Sequence, residues 1–571
     1  MKAIKQFLKE YKETIYEEAF RIWDEPMPKL TKELFDIYEQ TGNRLIYENA
    51  YFLRRKYVMI FGLLAWLEKN NPTTKVKYKL VIEKLENILI DICEEICWAL
   101  PAHVDCKKEN WEITIELFAS ETAQTLSEIL FMVGDDINSN VKNKVTSEVF
   151  RRVLNPFFSS QVPYDWWEQC DLNWCAVCNG AIGSAAMYLM KDEPEKLKKC
   201  LNRVTNSMKY YLDGFCEDGT CMEGLYYFTY GFTYFTGFAY QLRQYTKGVV
   251  NLFHNPKVEK IASFQQKCYF KSGKTVSFSD GSEEDHYHIG LTCRLAIEYE
   301  TVYVPNIRFA SKLLDDHYCR FMGAFRNIIW AEEYIKSAQR KNDNINDNKK
   351  VILENAQWAI YENKSGIGMA VKGGHNDEPH NHNDIGSFMY IKEDEIFLPD
   401  LGAGEYTKEY FHEGRYHIFC NNSFSHNVPV INGMGQQEGR EHCCSQFQVN
   451  ESGAICLEIS NAYKKDIIEK LYRRMDFSFL EGTLTIIDEF YGKENLCITE
   501  NLISYIKPII DGQDFILNGK KNNCRIKTNG YNLSVIPVDH ALHNGKHITV
   551  YRMCWNIKII NERGKATIFI Q

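Results

Sequence analysis

Histidine and carboxylate side chains are concentrated in one stretch of the sequence, residues 375–404, which reads HNDEPHNHNDIGSFMYIKEDEIFLPDLGAG. Side chains two residues apart in an extended strand project from the same face, so His380, His382 and Asp384 are predicted to point together. Imidazole and carboxylate groups are the usual protein ligands of zinc, and comparable sets hold manganese or iron. The spacing therefore predicts a metal site in a cleft.

Two residues further along the chain are candidates to complete this site. Asp400 precedes a turn that contains Gly402 and Gly404, and His426 lies in the sequence SFSHNVPVING. The alternative is a solvated polar loop, because a histidine-rich segment does not always bind a metal. The residue pattern alone leaves both interpretations open.

A second candidate segment, DLNWCAVCNGAIG at residues 171–183, begins an apolar helix that runs through Tyr188. Asn173 stands at the start of that helix, where Asn is ordinarily a cap. Cys175 and Cys178 form a Cys-x-x-Cys pair, but neither a βαβ context nor a second cysteine pair accompanies it. We therefore expect these cysteines to be buried in helix packing.

A third segment, EGLYYFTYGFTYF at residues 223–235, is unusually rich in Tyr and Phe. Aromatic stripes in helical proteins mostly belong to the core. Buried Tyr hydroxyls need hydrogen-bond partners, however, so a cleft wall that stacks on sugar rings and supplies a phenol is a competing interpretation.

The composition is that of an ordinary globular protein. The 571 residues predict two to four structural units, and the formal net charge of −9 argues against a nucleic-acid-binding protein. No run approaches the roughly 20 apolar residues of a membrane span, and the first twenty residues lack the apolar core of a secretory signal. Because the 19 cysteines do not resemble an extracellular disulfide framework, we expect a cytoplasmic protein.

The N-terminal part of the chain has helical periodicity. Apolar residues recur at three- and four-residue spacing, beginning with Ile4, Phe7, Leu8, Tyr11 and Ile15. Many successive helices form either an open solenoid or a closed toroid of paired helices, and periodicity does not decide between them. The polar sequence SAQRKNDNINDNKK at residues 337–350 predicts a linker after this helical part.

The C-terminal part alternates as β-strands do. Residues 475–480 and 483–488 predict a hairpin around Glu481-Gly482, and residues 566–570 predict a final strand. The predicted organisation is therefore α+β multidomain, with a helical domain at residues 1–336, an antiparallel β-domain at 350–571 and a binding site in the cleft between them.

Taken in order, these segments resemble the heparinase II/III family of polysaccharide lyases. NWCAVCNGAIG, EGLYYFTYG, HNHNDIGSF, LPDLGAGEYT and SHNVPVINGMGQ follow the family's order and approximate spacing, and HNHNDIGSF is the most specific of them. The resemblance implies an (α/α) toroid followed by an antiparallel β-sandwich. It also implies an enzyme that cleaves a uronic-acid-containing glycan by β-elimination and leaves 4,5-unsaturated uronate ends.

The resemblance implies roles for individual residues. The residues that match catalytic groups are Tyr227 as the phenol, His380 as the partner imidazole and Asn173 as the group that holds the substrate carboxylate. The residues that match the ligands of one divalent metal ion, with zinc favoured over manganese or calcium, are His382, Asp400 and His426. The predicted substrate-binding residues are Trp174, Tyr226, Tyr230, His375, Tyr410 and Arg415.

One position departs from the family's pattern. Several members carry a His directly after the Asn that Asn173 matches, and this chain has Trp174 there. The base must then be Tyr227 or His380, and a preference for one uronate epimer does not transfer from the His-bearing members. Tyr226 and Tyr230 remain alternatives for the phenol.

The expected chemistry explains why these residue types are needed. The proton on C5 of a uronate is acidic enough to remove only when the neighbouring carboxylate charge is neutralised, which Asn173 and Arg415 would do. A base must reach that proton and an acid must reach the O4 leaving oxygen. We expect Tyr227 to protonate the leaving group and, when both protons lie on one face, to act as base too; otherwise His380 is the base. The metal is expected to be structural.

Two other functions compete with the lyase. A glycoside hydrolase on a helical toroid would use two carboxylates, such as Asp171 and Glu223. A non-catalytic glycan-binding protein would use the aromatic residues alone, because a fold does not determine a function. In each case the expected partner is an acidic oligo- or polysaccharide such as heparan sulfate, chondroitin, hyaluronan or alginate, and neither a nucleic acid nor a membrane.

Overall fold

The computed structural model describes residues 1–71, 78–337, 347–465, 467–493 and 495–571. These residues form two compact units. Unit 1 comprises residues 1–215, 228–262 and 286–337, and unit 2 comprises residues 216–227, 263–285 and 347–571. Most of the predicted linker, residues 338–346, lies outside the described residues.

Unit 1 is helical, as the periodicity predicted. In chain order the helices are α1 (Lys2–Arg21), α2 (Lys32–Thr41), α3 (Leu45–Asn70), α4 (Tyr78–Cys93), α5 (Leu117–Val133), α6 (Ser139–Val149), α7 (Asn155–Ser159), α8 (Asn173–Leu189), α9 (Pro194–Asp213), α10 (Leu225–Tyr245), α11 (Pro256–Ala262), α12 (Phe264–Cys268), α13 (Ile289–Glu298) and α14 (Phe321–Lys336). Helix α12 and the first three residues of α10 belong to unit 2.

The helices of unit 1 pack in neighbouring pairs. Helix α8 packs against α5 and α9, and α13 packs against α14. Helix α1 also contacts α14, where the Asn327 side-chain amide donates a hydrogen bond to the Tyr11 hydroxyl at 3.3 Å. The first and last helices are therefore neighbours, as in a toroid and unlike an open solenoid. None of the helices in the described ranges is both long and apolar enough to cross a membrane.

Unit 2 consists mainly of antiparallel strands. They are β1 (Lys349–Leu353), β2 (Trp358–Glu362), β3 (Ile367–Lys372), β4 (His375–Asn376), β5 (Phe388–Lys392), β6 (Glu395–Leu398), β7 (Val430–Ile431), β8 (Gly439–Cys443), β9 (Gln446–Val449), β10 (Ile455–Glu458), β11 (Lys470–Phe477), β12 (Leu484–Tyr491), β13 (Ile498–Ser504), β14 (Ile509–Asp511), β15 (Asp514–Asn518), β16 (Asn523–Thr528), β17 (Tyr531–Ala541), β18 (His547–Ile557) and β19 (Arg563–Ile570).

These strands form sheets whose order differs from the chain order. The sheets are β1-β2-β3-β5-β6, β14-β15-β16-β19-β12-β11-β10-β9, β17-β18-β13-β7 and the ribbon β4-β8. The predicted hairpin is confirmed, since β11 and β12 pair with Phe477 opposite Leu484. The predicted final strand is confirmed as β19, which pairs with both β12 and β16.

The two larger sheets differ in how they are covered. In β12 buried residues alternate with partly exposed ones, as expected for a sheet with one face towards solvent. Strand β2 is buried at every position. One of its faces is covered from within unit 2, because the rings of Phe264 and Phe278 pack on Trp358 with centroid distances of 6.1 and 5.0 Å.

This covering explains why two segments that precede the linker belong to unit 2. The sequence predicted that the chain crosses from the helical to the β-domain only once, at residues 337–350. In the structure, the earlier segment 263–285 already belongs to unit 2, where it supplies the aromatic cover of β2. Segment 216–227 is held by Asp218, whose Oδ2 accepts hydrogen bonds from the backbone N–H groups of Asn355 at 2.9 Å and Ala356 at 3.3 Å. Residues from both segments therefore lie in the same unit as the histidine-rich stretch.

Candidate active site

The histidine-rich stretch is a loop between β4 and β5, so the strand predicted for residues 380–384 is wrong. His380 has a φ of +57°, in the left-handed region that few residues other than glycine adopt. This conformation breaks the alternation of faces on which the strand prediction rested. His380 and His382 nevertheless converge, because both rings reach the same buried carboxylate, that of Asp280.

Asp280 lies at the centre of the candidate active site, and the sequence patterns did not indicate it. Its Oδ2 accepts hydrogen bonds from His380 Nδ1 at 2.6 Å and from the Tyr406 hydroxyl at 2.9 Å. Its Oδ1 accepts from the Tyr410 hydroxyl at 2.5 Å and from His382 Nε2 at 3.0 Å. The carboxylate is fully buried and receives four hydrogen bonds.

The two histidine donors lower the pKa of this carboxylate. Burial alone would raise the pKa of Asp280, but the hydrogen bonds from His380 and His382 outweigh it and hold that pKa well below its usual range. An ionised carboxylate only accepts hydrogen bonds, so His380 must carry its proton on Nδ1. The lone pair of His380 then lies on Nε2, which is 3.7 Å from Glu223 Oε1.

The predicted phenol and imidazole lie against each other. The rings of Tyr227 and His380 stack with a centroid distance of 4.2 Å and an interplanar angle of 18°. The Tyr227 hydroxyl lies 2.7 Å from that of Tyr406, and the neighbouring Tyr226 ring meets Tyr227 edge-on at 5.3 Å. Tyr227 occupies the first turn of α10, which carries it to the Asp280 cluster.

Two glycines allow the loop that carries Asp280 to approach these elements. Gly224, at φ +95°, precedes α10, and a Cβ there would lie 3.2 Å from the carbonyl oxygen of Phe278. A Cβ at Gly402, where φ is +61°, would lie 2.0 Å from the Gly281 carbonyl oxygen. The glycines of EGLYY and DLGAG therefore permit the close packing of the Asp280 loop against both motifs.

The sequence carried only a weak signal for Asp280. It stands in SFSDGSEEDHY, where Glu283, Glu284 and Asp285 follow within five residues. A run of acidic residues usually indicates a solvated surface. Only the packing distinguishes Asp280, which is buried and accepts four hydrogen bonds, from the acidic residues that follow it.

Arg415 holds the histidine loop in place. Its guanidinium donates two hydrogen bonds to the Asn381 carbonyl, from Nε at 3.0 Å and Nη2 at 2.9 Å, and one to the Tyr410 carbonyl at 3.1 Å. It also lies 3.6 Å from Asp280. Asn381 is the residue between the two histidines, so Arg415 fixes the loop that presents them both.

The three predicted metal ligands are brought together. His382, Asp400 and His426 are buried, and one ligand atom of each lies within 4.8 Å of the others. His382 Nδ1, Asp400 Oδ2 and His426 Nδ1 are buried and make no hydrogen bond within the described ranges, and the last two lie 3.3 Å apart. Buried ligand atoms without hydrogen bonds, on three side chains this close together, fit a metal ion, which could be held there.

The opposite atoms of the same side chains are all hydrogen-bonded. His382 Nε2 donates to Asp280, His426 Nε2 donates to the Cys420 carbonyl at 2.9 Å, and Asp400 Oδ1 accepts from the backbone N–H of Gly402 at 3.1 Å. These bonds occupy Nε2 of each imidazole and leave Nδ1 to face the other ligands, as in metal-bound histidines. Burial lowers the pKa of His382, whereas the neighbouring Asp400 carboxylate raises that of His426.

Asp384 adds another oxygen to this group. Its Oδ1 accepts a hydrogen bond from the buried Lys372 ammonium at 2.8 Å, while its Oδ2 lies 3.9 Å from His426 Nδ1 and makes no hydrogen bond in the described part of the chain. Asp384 thus lies next to His426 of the metal-ligand group and not, as the strand interpretation suggested, beside His380.

A buried arginine fixes the backbone behind these ligands. Arg473 Nη1 donates hydrogen bonds of 2.7 Å to the carbonyls of Gly386 and Asn427, which follow Asp384 and His426 in the chain. Its Nε and Nη2 pair with the Asp488 carboxylate at 2.8 and 2.6 Å. The pairing compensates the arginine charge, and the arginine ties both loops to the eight-stranded sheet.

Three predicted site residues lie in unit 1. Asn173 is the first residue of α8 and is buried, but Leu172 holds the cap position, so the prediction that Asn173 caps the helix is wrong. The Trp174 ring lies 5.0 Å from the rings of His103 and Trp166. Tyr230 donates a hydrogen bond to Glu121 at 2.5 Å. Their roles in substrate binding stay predictions.

Two further predictions concern single residues. Cys175 and Cys178 are buried in α8, as expected for packing residues. His375 lies in the β4-β8 ribbon, where its backbone N–H donates to Glu378 at 3.1 Å and its Nδ1 accepts from the backbone of Asp377 at 3.2 Å. Its assignment to substrate binding stays a prediction.

Comparisons place this geometry in a known fold. No protein-family model and no curated protein matches the chain. Solved structures do. A heparinase III has a TM-score of 0.62 and 12% identity, covering 95% of this chain and 79% of that one. The heparan sulfate lyase HepC from Pedobacter heparinus has a TM-score of 0.57 and 13% identity, covering 99% and 88%.

A third lyase extends the likeness. The chondroitin AC lyase of Streptomyces coelicolor A3, solved in complex with chondroitin sulphate, has a TM-score of 0.53 and 8% identity, covering 99% of this chain and 79% of that one. The chain has the fold of these polysaccharide lyases. The fold implied by the resemblance, helices followed by antiparallel sheets, is confirmed.

The close approach at Gly402 can be tested against a matched glycine. Gly402→Ala should lower the free energy of unfolding by about 1 kcal/mol for the left-handed backbone, plus ~1–3 kcal/mol for the overlap with Gly281. Gly512→Ala is the control, because Gly512 has a similar φ of +64° and a Cβ there would meet nothing within 4 Å. Thermal and denaturant unfolding measure both. Equal losses for the two variants would contradict the packing argument.

The metal can be tested by content and by stability. The protein should bind one divalent ion per chain, and chelation should lower its melting temperature, since a ligand present at 1,000 times its Kd stabilises a protein by about 4 kcal/mol. His426→Ala should remove both the ion and the effect of chelation. His442→Ala should retain both, because His442 is bonded to the Asn461 carbonyl outside the ligand group. A wild-type melt unchanged by chelation and by re-addition of metal would count against the site.

Proposed function

We propose that this protein is a polysaccharide lyase that cleaves a uronic-acid-containing glycan by β-elimination. The observation that carries the proposal is the stacked pair of Tyr227 and His380, joined through Tyr406 and Asp280 into one hydrogen-bonded cluster. A phenol and an imidazole whose Nε2 is not the nitrogen bonded to Asp280 are an acid and a base side by side, as elimination requires. The lyase fold supports the same function.

The base in this proposal is His380. Its Nδ1–H is held by the ionised Asp280, so Nε2 is the nitrogen that takes the C5 proton. Asp280 also stabilises the imidazolium that results, because a buried carboxylate favours a neighbouring cation. Asp280 thus does for His380 what the carboxylate of a catalytic triad does for its histidine.

The acid in this proposal is Tyr227, which gives its hydroxyl proton to the O4 leaving oxygen. Where the C5 proton and the leaving oxygen lie on one face of the sugar, Tyr227 acts as base as well. The assignment of Asn173 to the substrate carboxylate rests on the family resemblance. Arg415 contributes by fixing the loop of His380, since its guanidinium donates to the backbone carbonyls of that loop and of Tyr410.

We further propose that the metal is zinc and that its role is structural. Two imidazole nitrogens and a carboxylate suit Zn²⁺ or Mn²⁺, whereas Ca²⁺ takes oxygen ligands. Held by His382, Asp400 and His426, the ion would supply positive charge that fastens three loops together. His382 is also hydrogen-bonded to Asp280, so the ion would help to hold in position the carboxylate that orients the base.

The proposed substrates are acidic oligo- or polysaccharides that contain a uronate. Heparan sulfate, chondroitin, hyaluronan and alginate all present the acidic C5 proton that the chemistry needs. The names of the structural neighbours, a heparan sulfate lyase and a chondroitin AC lyase, support glycosaminoglycans first.

An ultraviolet assay over a panel of these glycans tests the function directly. A lyase creates a C4–C5 double bond that absorbs in the ultraviolet, whereas the competing hydrolase adds water and leaves no chromophore. We expect absorbing product from at least one glycan, and a loss of ~10²–10⁴-fold in kcat for Tyr227→Phe because the acid is removed.

Two outcomes would contradict this proposal. Reducing ends released without absorbance would indicate hydrolysis, and tight binding without turnover by the metal-loaded protein would indicate a binding protein. Tyr226→Phe is the matched control for Tyr227→Phe, because it removes the adjacent phenol, which the sequence leaves open as an alternative acid. If Tyr226→Phe is the variant that loses activity, the acid has been assigned to the wrong tyrosine.

The role of Asp280 makes a separate prediction. Asp280→Asn removes the acceptor that fixes the His380 proton on Nδ1, so kcat should fall by ~10²–10⁴-fold while KM changes little. Asp285→Asn is the control in the same segment, since Asp285 lies outside the cluster; it should retain activity. Steady-state kinetics and thermal melting of both variants check this. An Asp280→Asn enzyme with wild-type kcat would remove Asp280 from the mechanism.

A further inference from the structure

We propose that Tyr406 is a further catalytic residue, which donates a hydrogen bond to the phenolate of Tyr227 after Tyr227 has protonated the leaving oxygen. The inference rests on the proposed function, because it assigns a role to a residue that touches the reacting oxygen of Tyr227. It follows from the position of the Tyr406 hydroxyl between the Asp280 carboxylate and the Tyr227 oxygen.

The Tyr406 hydroxyl is shared between two oxygens. It lies 2.9 Å from Asp280 Oδ2 and 2.7 Å from the Tyr227 hydroxyl, and it has one hydrogen to donate. The Tyr406 hydroxyl is the donor in its hydrogen bond to Asp280, so before the reaction the hydrogen of Tyr406 points at Asp280. The Tyr227 hydroxyl must then donate to the oxygen of Tyr406.

Proton transfer reverses this arrangement. Tyr227 turns its O–H from Tyr406 to the leaving oxygen, and its O–H bond breaks as the new O–H bond of the alcohol forms. His380 takes the C5 proton, and the electrons of the C5–H bond form the C4–C5 double bond. The electrons of the C4–O4 bond go to the leaving oxygen, and those of the Tyr227 O–H bond remain as phenolate charge. Tyr406 turns its hydrogen from Asp280 to the phenolate and keeps its own proton. No further reactant is needed.

Asp280 tolerates the loss of this one bond. Its Oδ2 keeps the hydrogen bond from His380 at 2.6 Å, and its Oδ1 keeps those from Tyr410 and His382. Tyr406 itself remains protonated, because burial and the neighbouring Asp280 raise the pKa of Tyr406 well above its usual range. It therefore acts as a hydrogen-bond donor and not as an acid.

The Tyr406 ring is held so that only its hydroxyl hydrogen needs to move. Aromatic rings pack on it from three directions: Tyr410 at a centroid distance of 4.7 Å, Phe411 at 4.9 Å and His543 at 4.4 Å. A fixed ring with a rotating hydroxyl provides a donor already aimed at the oxygen where charge develops, which is the arrangement that stabilises a transition state most effectively.

The experiment compares two leaving groups in the full-length, metal-loaded protein. One substrate is a uronate oligosaccharide with a sugar at O4, and the other carries 4-nitrophenol at the same oxygen, a leaving group that departs without protonation. Tyr406→Phe keeps the ring and should lower kcat on the sugar substrate by ~10²-fold with KM unchanged. On the nitrophenyl substrate its kcat should remain within about three-fold of wild type, because His380 still removes the C5 proton but the leaving oxygen departs without accepting one from Tyr227.

Tyr410→Phe is the matched control. It removes another phenol from Asp280, but its hydroxyl is bonded to Oδ1 and not to Tyr227, so any loss in kcat should be the same on both substrates. An equal loss on both substrates for Tyr406→Phe, or no loss on either, would overturn the inference while leaving the lyase proposal intact. A wild-type protein that eliminates neither leaving group would overturn the proposed function and this role with it.

Discussion

The structure of the candidate site depends on one buried carboxylate. Placing an ionised carboxylate inside a protein costs several kcal/mol unless hydrogen bonds replace its water, and Asp280 has four such bonds, from two imidazoles and two phenols. The donors belong to parts of the site with different roles. His380 is the proposed base, Tyr406 contacts the proposed acid, and His382 belongs to the metal-ligand group. Because the donors that compensate this one charge come from all of these parts, the parts are arranged around the same carboxylate.

The architecture explains how such a carboxylate comes to lie there. Strand β2 is buried on both faces, and segment 263–285 covers one of them with Phe264 and Phe278. The same segment then turns through Ser279, at φ +62°, to present Asp280. Hydrophobic cover and the buried Asp280 carboxylate thus come from one stretch of chain, and the glycines at 224 and 402 allow that stretch to approach the start of α10 and the Asp400 turn. The packing of the β-unit and the electrostatics of its site are consequences of the same arrangement.

The comparisons show how different a sequence can be while the fold is kept. The fold is shared with lyases at 8–13% identity. Hydrophobic cores tolerate extensive substitution when volume and pattern are kept. A buried carboxylate with four donors is less tolerant, because each donor needs a particular atom at hydrogen-bond distance.

The sequence by itself determined the helical and β halves, the hairpin of β11 and β12, and the buried cysteines of α8, because these follow from local periodicity and turn residues. It also contained the candidate groups Tyr227, His380, His382, Asp400 and His426, in motifs that resemble a known family. Tertiary structure alone decided which of those groups meet. The left-handed backbone of His380 replaced the predicted strand, and Asp280 and Tyr406 joined the site only through contacts between residues about 100 or more positions apart. Such contacts are set by how sheets and loops pack, and no pattern within a few residues of either partner specifies them.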